Sequence, residues 1–128
     1  MVCENSGAAL RSRVLVAEDN PSNYKLVEVL LRRDYDLVHA VNGAEAVELF
    51  RTQGADLVLM DITMPNMDGL QALKKIREGD PNAKVVMCTA MGQESMVVDA
   101  IKSGARDFVV KPFDAQRIVK TVNDILGK

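Results

Sequence analysis

The sequence predicts an α/β fold, a single parallel sheet of five strands wound on both faces by five helices. Three observations predict it. Short β-branched apolar runs alternate with longer amphipathic stretches along the chain, the pattern of βα units joined by crossovers. Three of the runs are almost purely apolar, as strands covered on both faces are. Asn42-Gly43, Gly54, Gly79-Asp80-Pro81 and Gly104 then fall between the runs, where turns and helix ends belong.

Residues 1–12 are small and polar without periodicity, and read as a disordered leader or an expression remnant, leaving 13–128 as one folded unit. The first strand is expected at Val14–Ala17. Asn20 can cap and Pro21 can open a helix over Pro21–Arg33, with Leu26, Val27, Leu30 and Leu31 as its apolar stripe. Strand two, Asp36–Ala40, carries the single histidine. With no cysteine or second histidine at ligand spacing, His39 reads as an ordinary strand residue. Helices are expected over Ala44–Gln53, Gly69–Glu78, Gln93–Ser103 and Ala115–Leu126, and strands at Leu57–Met60, Val85–Cys88 and Phe108–Val110. Right-handed crossovers leave few topologies, and five strands fit the flavodoxin-like, doubly wound (βα)5 order 2-1-3-4-5.

A chain of 128 residues with a formal charge of -2 offers no global attraction for nucleic acid. No apolar run approaches the roughly 20 residues of a membrane span. The start, Met1 to Arg13, clusters only Ala8, Ala9 and Leu10, too little for the centre of a secretion signal. The expected location is therefore the cytoplasm, with Cys3 and Cys88 as free thiols.

The chemistry lies at the strand ends. Strand one ends in Glu18-Asp19, strand three in Asp61, strand four is followed by Thr89 and strand five by Lys111-Pro112. In a parallel sheet these side chains converge on one edge, where ligands bind. Three carboxylates together repel one another unless a cation offsets them. Oxygen donors without histidine or thiolate favour Mg2+, with Mn2+ as a substitute. A carboxylate beside such an ion can attack phosphorus, and Asp61 is the central candidate nucleophile.

Val14-Leu-Val-Ala-Glu-Asp19, Met60-Asp-Ile-Thr-Met-Pro65, Met67-Asp-Gly69, Thr89-Ala90 and Lys111-Pro-Phe113, in that order, resemble the response-regulator receiver family of two-component systems from about residue 13 onward. The resemblance implies the same strand order, and a phosphoryl group passed to Asp61 from the phosphohistidine of a histidine kinase or phosphotransfer protein. It implies a metal held by Glu18, Asp19, Asp61 and the Thr63 backbone carbonyl, and phosphoryl oxygens bound by Thr89 and Lys111. It also implies a Thr89–Phe108 switch pair, a cis peptide before Pro112, and a downstream protein docking on the face of helix four, strand five and helix five. Glu18 departs modestly from the aspartate more common in the family. On helix four, Val98 and Ile101 are expected against the sheet, with Met96 or Val97 left near solvent.

Such a chain is a signalling switch that catalyses its own phosphoryl transfer and dephosphorylation. Two other classes share the fold. A phosphatase of the haloacid dehalogenase type wants a second aspartate two residues past the nucleophile, where Thr63 stands. A flavin or nucleotide module wants a glycine-rich loop after strand one, where Glu18-Asp19 stands instead. Within the receiver class, Glu18–Asn23 resembles receivers of hybrid kinases, while Cys88–Gln93 through Lys111–Phe113 resembles chemotaxis regulators. A stand-alone regulator and a receiver of a larger or fused protein both fit.

Overall fold

Three of the helix starts are fixed by a side chain written into the sequence beside them. The computed structural model, which describes residues 12–62, 69–90, 94–111 and 114–127, places α1 at Pro21–Leu31 behind β1 at Arg13–Ala17. The Asn20 side chain accepts from the amides of Ser22 and Asn23, and Pro21 stands where no amide partner is needed. Following β2 (Asp36–Ala40), α2 (Gly43–Gln53) starts on a reciprocal cap. Asn42 accepts from the Glu45 amide at 2.8 Å while the Glu45 carboxylate accepts from the Val41 amide at 2.9 Å. Then come β3 (Leu57–Asp61), α3 (Gly69–Gly79), β4 (Val85–Ala90), α4 (Glu94–Lys102), β5 (Asp107–Lys111) and α5 (Ala115–Leu126), the last capped by Asp114.

The strands pair in parallel in the order β2-β1-β3-β4-β5, as the sequence predicts. Strand periodicity explains why the sheet needs cover on both sides. Leu15, Val58, Met60, Val85 and Met87 join one buried cluster with Leu73 and Ile76 of α3 and Ala100 of α4. Their strand neighbours Val14, Val16, Leu57, Leu59, Val86 and Cys88 join a second cluster with Val27 and Leu31 of α1 and Ile118 and Val122 of α5. Tyr35, 1 % exposed, ties the two flanks of the second layer, its hydroxyl donating to the Asn123 side chain at 2.5 Å. Among the described residues no helix is long and apolar enough to cross a membrane.

Two helix faces differ from expectation. In α1 the buried stripe is Val27 and Leu31 with Leu30 beside them, and Leu26 is exposed. In α4 the phase is the reverse of that predicted. Met96 and Val97 pack against the core and Ala100 is fully buried, whereas Val98 and Ile101 are 50 % and 44 % exposed. The small Ala100 is the residue that meets the sheet, and a methyl group is too weak a signal to outrank the larger side chains on either side of it.

Cys88 is a free, buried thiol paired in register with Asp61. Burial first, and then the negative charges of Asp61 and Glu18, push it far above its ordinary value. The folded protein thus holds this proton more tightly than the unfolded chain, whose thiols titrate near about pH 8.5. The resulting stabilisation is complete below that pH and lost as pH rises past it. Native Cys88 should therefore resist iodoacetamide at about pH 8 and react once the protein is unfolded by urea, as peptide mapping by mass spectrometry would show. Rapid labelling of the native protein would contradict the burial.

Candidate functional site

The parallel sheet brings the ends of β1, β3, β4 and β5 to one edge, and the expected side chains meet there. Glu18, Asp19 and Asp61 place one carboxylate oxygen each within 4.8 Å of one another. Glu18 and Asp61 are buried, at 2 % and 4 % exposure, while Asp19 is exposed. Lys111, at the end of β5, bridges the two buried acids, its Nζ lying 2.8 Å from Asp61 Oδ2 and 3.0 Å from Glu18 Oε1. Thr89 is buried one residue beyond the Asp61–Cys88 pair on β4. Phe108 pairs with Met87 and packs into the same layer, on the face that Thr89 shares with Met87. Thr63 and Pro112, for which a metal-directed carbonyl and a cis peptide were expected, lie outside the described residues.

The local chain explains why Glu18 points inward. Its amide donates to the Ala40 carbonyl at 2.9 Å, continuing the ladder with β2 for one residue past β1. Its carboxylate then accepts from the Asn20 amide at 3.2 Å, so the residue that caps α1 also orients the acid. Burial raises the Glu18 carboxyl above its ordinary range, the Lys111 hydrogen bond pulls it down, and the Asp61 charge pushes it up again, with a net rise. For Lys111 burial works against the charged form, but the hydrogen bonds to Asp61 and Glu18 outweigh it and the ammonium is held above its usual value. Glu18 is the more buried member of the first acidic pair, and its carboxylate is already oriented.

These donors fit a hard divalent cation. They are all carboxylate oxygens, they converge, and Lys111 is the cation that the described residues place on them. One ammonium against three carboxylates leaves a local excess of negative charge that an ion of the Mg2+ class would offset.

His39, expected to be an ordinary strand residue, also touches the first acidic pair. Its ring stacks on Tyr24 of α1, and its Nε2 lies 2.9 Å from the Glu18 carbonyl oxygen. A lone histidine in a strand carries no spacing signal, and only the register that sets Val16 beside His39 brings it to this carbonyl. Asp107 opens β5 at the end away from the cluster and pairs with Arg117 at 3.5 Å.

The response regulator receiver domain family matches residues 14–123. The chain is 47 % identical over 117 residues to the chemotaxis protein CheY of Bacillus subtilis, covering 90 % of this chain and 98 % of that protein. It is 45 % identical over 115 residues to CheY of Thermotoga maritima, covering 88 % and 96 %. Among solved structures, the CheX–CheY–BeF3–Mg2+ complex from Borrelia burgdorferi superposes with a TM-score of 0.87 at 33 % identity, covering 97 % of this chain and 96 % of that one. An acidic cluster able to coordinate a divalent metal such as Mg2+, set at the ligand edge of a β2-β1-β3-β4-β5 sheet, is thus joined to close sequence kinship. The chain belongs to the response-regulator receiver family, as a phosphoacceptor switch of two-component signalling.

Proposed function

We propose that Asp61 is the phosphoacceptor, and that residues 13–128 form the receiver that takes its phosphoryl group from a phosphohistidine. The observation that carries this reading is the central place of Asp61. Its strand lies between β1 and β4, so Glu18 and Asp19 reach it from one side and Thr89 and Lys111 from the other. An Asp61 oxygen forms the new bond to phosphorus as the phosphorus–nitrogen bond of the donor breaks, and the departing imidazole keeps the electron pair. Lys111, already against Asp61 at 2.8 Å, binds a transferring oxygen, and the Thr89 hydroxyl donates to another. Glu18, Asp19, Asp61 and the Thr63 carbonyl hold the metal. Bound Mg2+ supplies positive charge that offsets the phosphoryl oxygens.

Removing a cation from an acidic pocket relieves repulsion toward a metal ion. Lys111→Ala should therefore leave Mg2+ affinity equal to or above that of the wild type, followed by amide chemical shifts during a Mg2+ titration. A large fall in affinity in a folded variant would mean that Lys111 organises the carboxylates instead.

We further propose that the chain serves a chemotaxis-type system in the cytoplasm, a reading supported by its kinship to CheY proteins and by the reduced thiol of Cys88, ordinary for that compartment. Its downstream protein docks on the α4–β5–α5 face. Val98, Ile101 and Val110 support this, being exposed apolar side chains on adjacent elements. Thr89 and Phe108 connect the site to that face, the hydroxyl drawn toward the phosphoryl group and the ring following. The two states need differ by only a few kcal/mol for phosphorylation to redistribute them. Beryllium fluoride with Mg2+, an acyl-phosphate mimic, should shift amide resonances from Thr89 through Phe108 to Val110. Changes confined to the metal pocket would defeat the switch.

A further inference from the structure

Both main-chain groups of Glu18 are held by β2. The amide donates to the Ala40 carbonyl and the carbonyl faces His39 Nε2, each at 2.9 Å. A carbonyl oxygen can only accept, so Nε2 carries the hydrogen in this contact. The imidazole cannot swing away easily, because it lies flat on the Tyr24 ring with centroids 3.6 Å apart and planes 5° from parallel. Tyr24 belongs to α1, where its amide donates to the Asn20 carbonyl at 3.0 Å, and the Asn20 amide in turn donates to the Glu18 carboxylate at 3.2 Å. The contacts close a circuit from Glu18 through His39, Tyr24 and Asn20 back to Glu18.

We propose that His39 is a positioning residue for divalent-metal binding, acting through the Glu18 carbonyl. That oxygen belongs to the peptide joining Glu18 to Asp19, so holding it fixes the plane of the peptide between the two acids. The direction of Asp19 depends on that plane especially, because its side chain is exposed. The ion would then find two carboxylates already aimed, with less backbone ordering required on binding. The proposal rests on the reading of Glu18, Asp19 and Asp61 as the metal-binding cluster. Groups that orient metal ligands typically change affinity by about 10- to 100-fold when removed. A backbone-directed contact belongs at the low end, about tenfold.

Mg2+ titrations of the full chain, followed by amide chemical shifts, test this without reference to phosphorylation. His39→Ala should weaken Mg2+ binding about tenfold. His39→Gln, whose side-chain amide can donate to the same carbonyl, should return to within about threefold of the wild type. Wild-type affinity in the alanine variant, to within about twofold, would overturn the proposal. Equal weakening in both variants would overturn it too, since loss of the ring's packing alone would then account for the effect. A long-range proton–nitrogen spectrum of the wild type covers the case in which the alanine variant fails to fold. A hydrogen on Nε2 supports the proposal, and its absence removes the donor on which everything depends. Failure of the wild type to bind Mg2+ would instead overturn the cluster reading itself, and the role of His39 with it.

Discussion

Asp61→Asn should abolish phosphorylation by acetyl phosphate and Mg2+, whereas the wild type gains a single labile phosphoryl group by intact mass. The amide keeps the size and much of the hydrogen bonding of the carboxylate but lacks its anionic nucleophilic oxygen, and it weakens the convergence of charge that would draw the metal. Glu18 is the only other buried carboxylate among the described residues. Both of its oxygens are engaged, one by Lys111 and one by the Asn20 amide. Substitution of Asp61 should therefore leave no acid in its place, and the expected loss exceeds the roughly 100-fold that removal of one stabilising donor typically causes. Undiminished mass gain in the Asp61→Asn variant would sink the assignment.

The second large effect is on stability and falls on a residue with no side chain. Gly69 opens α3 directly against the backbone that follows Asp61, and its amide donates to the Ile62 carbonyl at 2.7 Å. A Cβ at this position would lie 2.8 Å from the Asp61 carbonyl carbon and 2.8 Å from Ile62 Cα, with the Asp61 carbonyl oxygen nearer still. Those atoms are main chain at the buried end of β3 and in the residue just past it, and cannot rotate aside. Gly69→Ala should cost about 3 kcal/mol, the upper range for overpacking, which for a domain of this size is a fall of roughly 10 °C in Tm. A thermal melt within about 2 °C of the wild type would show that α3 can move away from β3 freely. Any displacement of that backbone moves Asp61 as well, so reduced phosphorylation should accompany the loss of stability.

The sequence disclosed the architecture because the two layers of the core leave separate marks. Val14 and Val16 serve one face of β1 and Leu15 and Ala17 the other, which is why the strand reads as an unbroken apolar run. Asn20-Pro21 announces its helix start for an equally local reason. The convergence of Glu18, Asp19 and Asp61 was legible too, since the rule that places ligands at strand ends needs no side-chain detail. What escaped was rotational phase and register. Met96, Val97 and Val98 are consecutive, and helical geometry alone does not say which of them faces inward; Ala100 and the packing of its turn decide it. The contact of His39 with Glu18 escaped because it depends on two strands lying side by side, on a ring borrowed from α1, and on a main-chain oxygen that no side-chain pattern records.

The contact between Tyr35 and Asn123 bears on how the module can be handled. Tyr35 immediately precedes β2, so it marks the edge where strands begin, and Asn123 lies in the last turns of α5. The Asp36 amide, which donates to the Ser12 carbonyl at 3.0 Å, puts the entry to β1 at that same edge. Ser12 and the end of α5 therefore emerge together, separated from the carboxylates by the length of a strand, five residues at about 3.3 Å each. A fluorophore, a solid support or a fused domain attached at Ser12 or at the last turn of α5 would stand behind the rim that holds the carboxylates. A phosphodonor protein could then approach the anchored molecule from the front without meeting its tether.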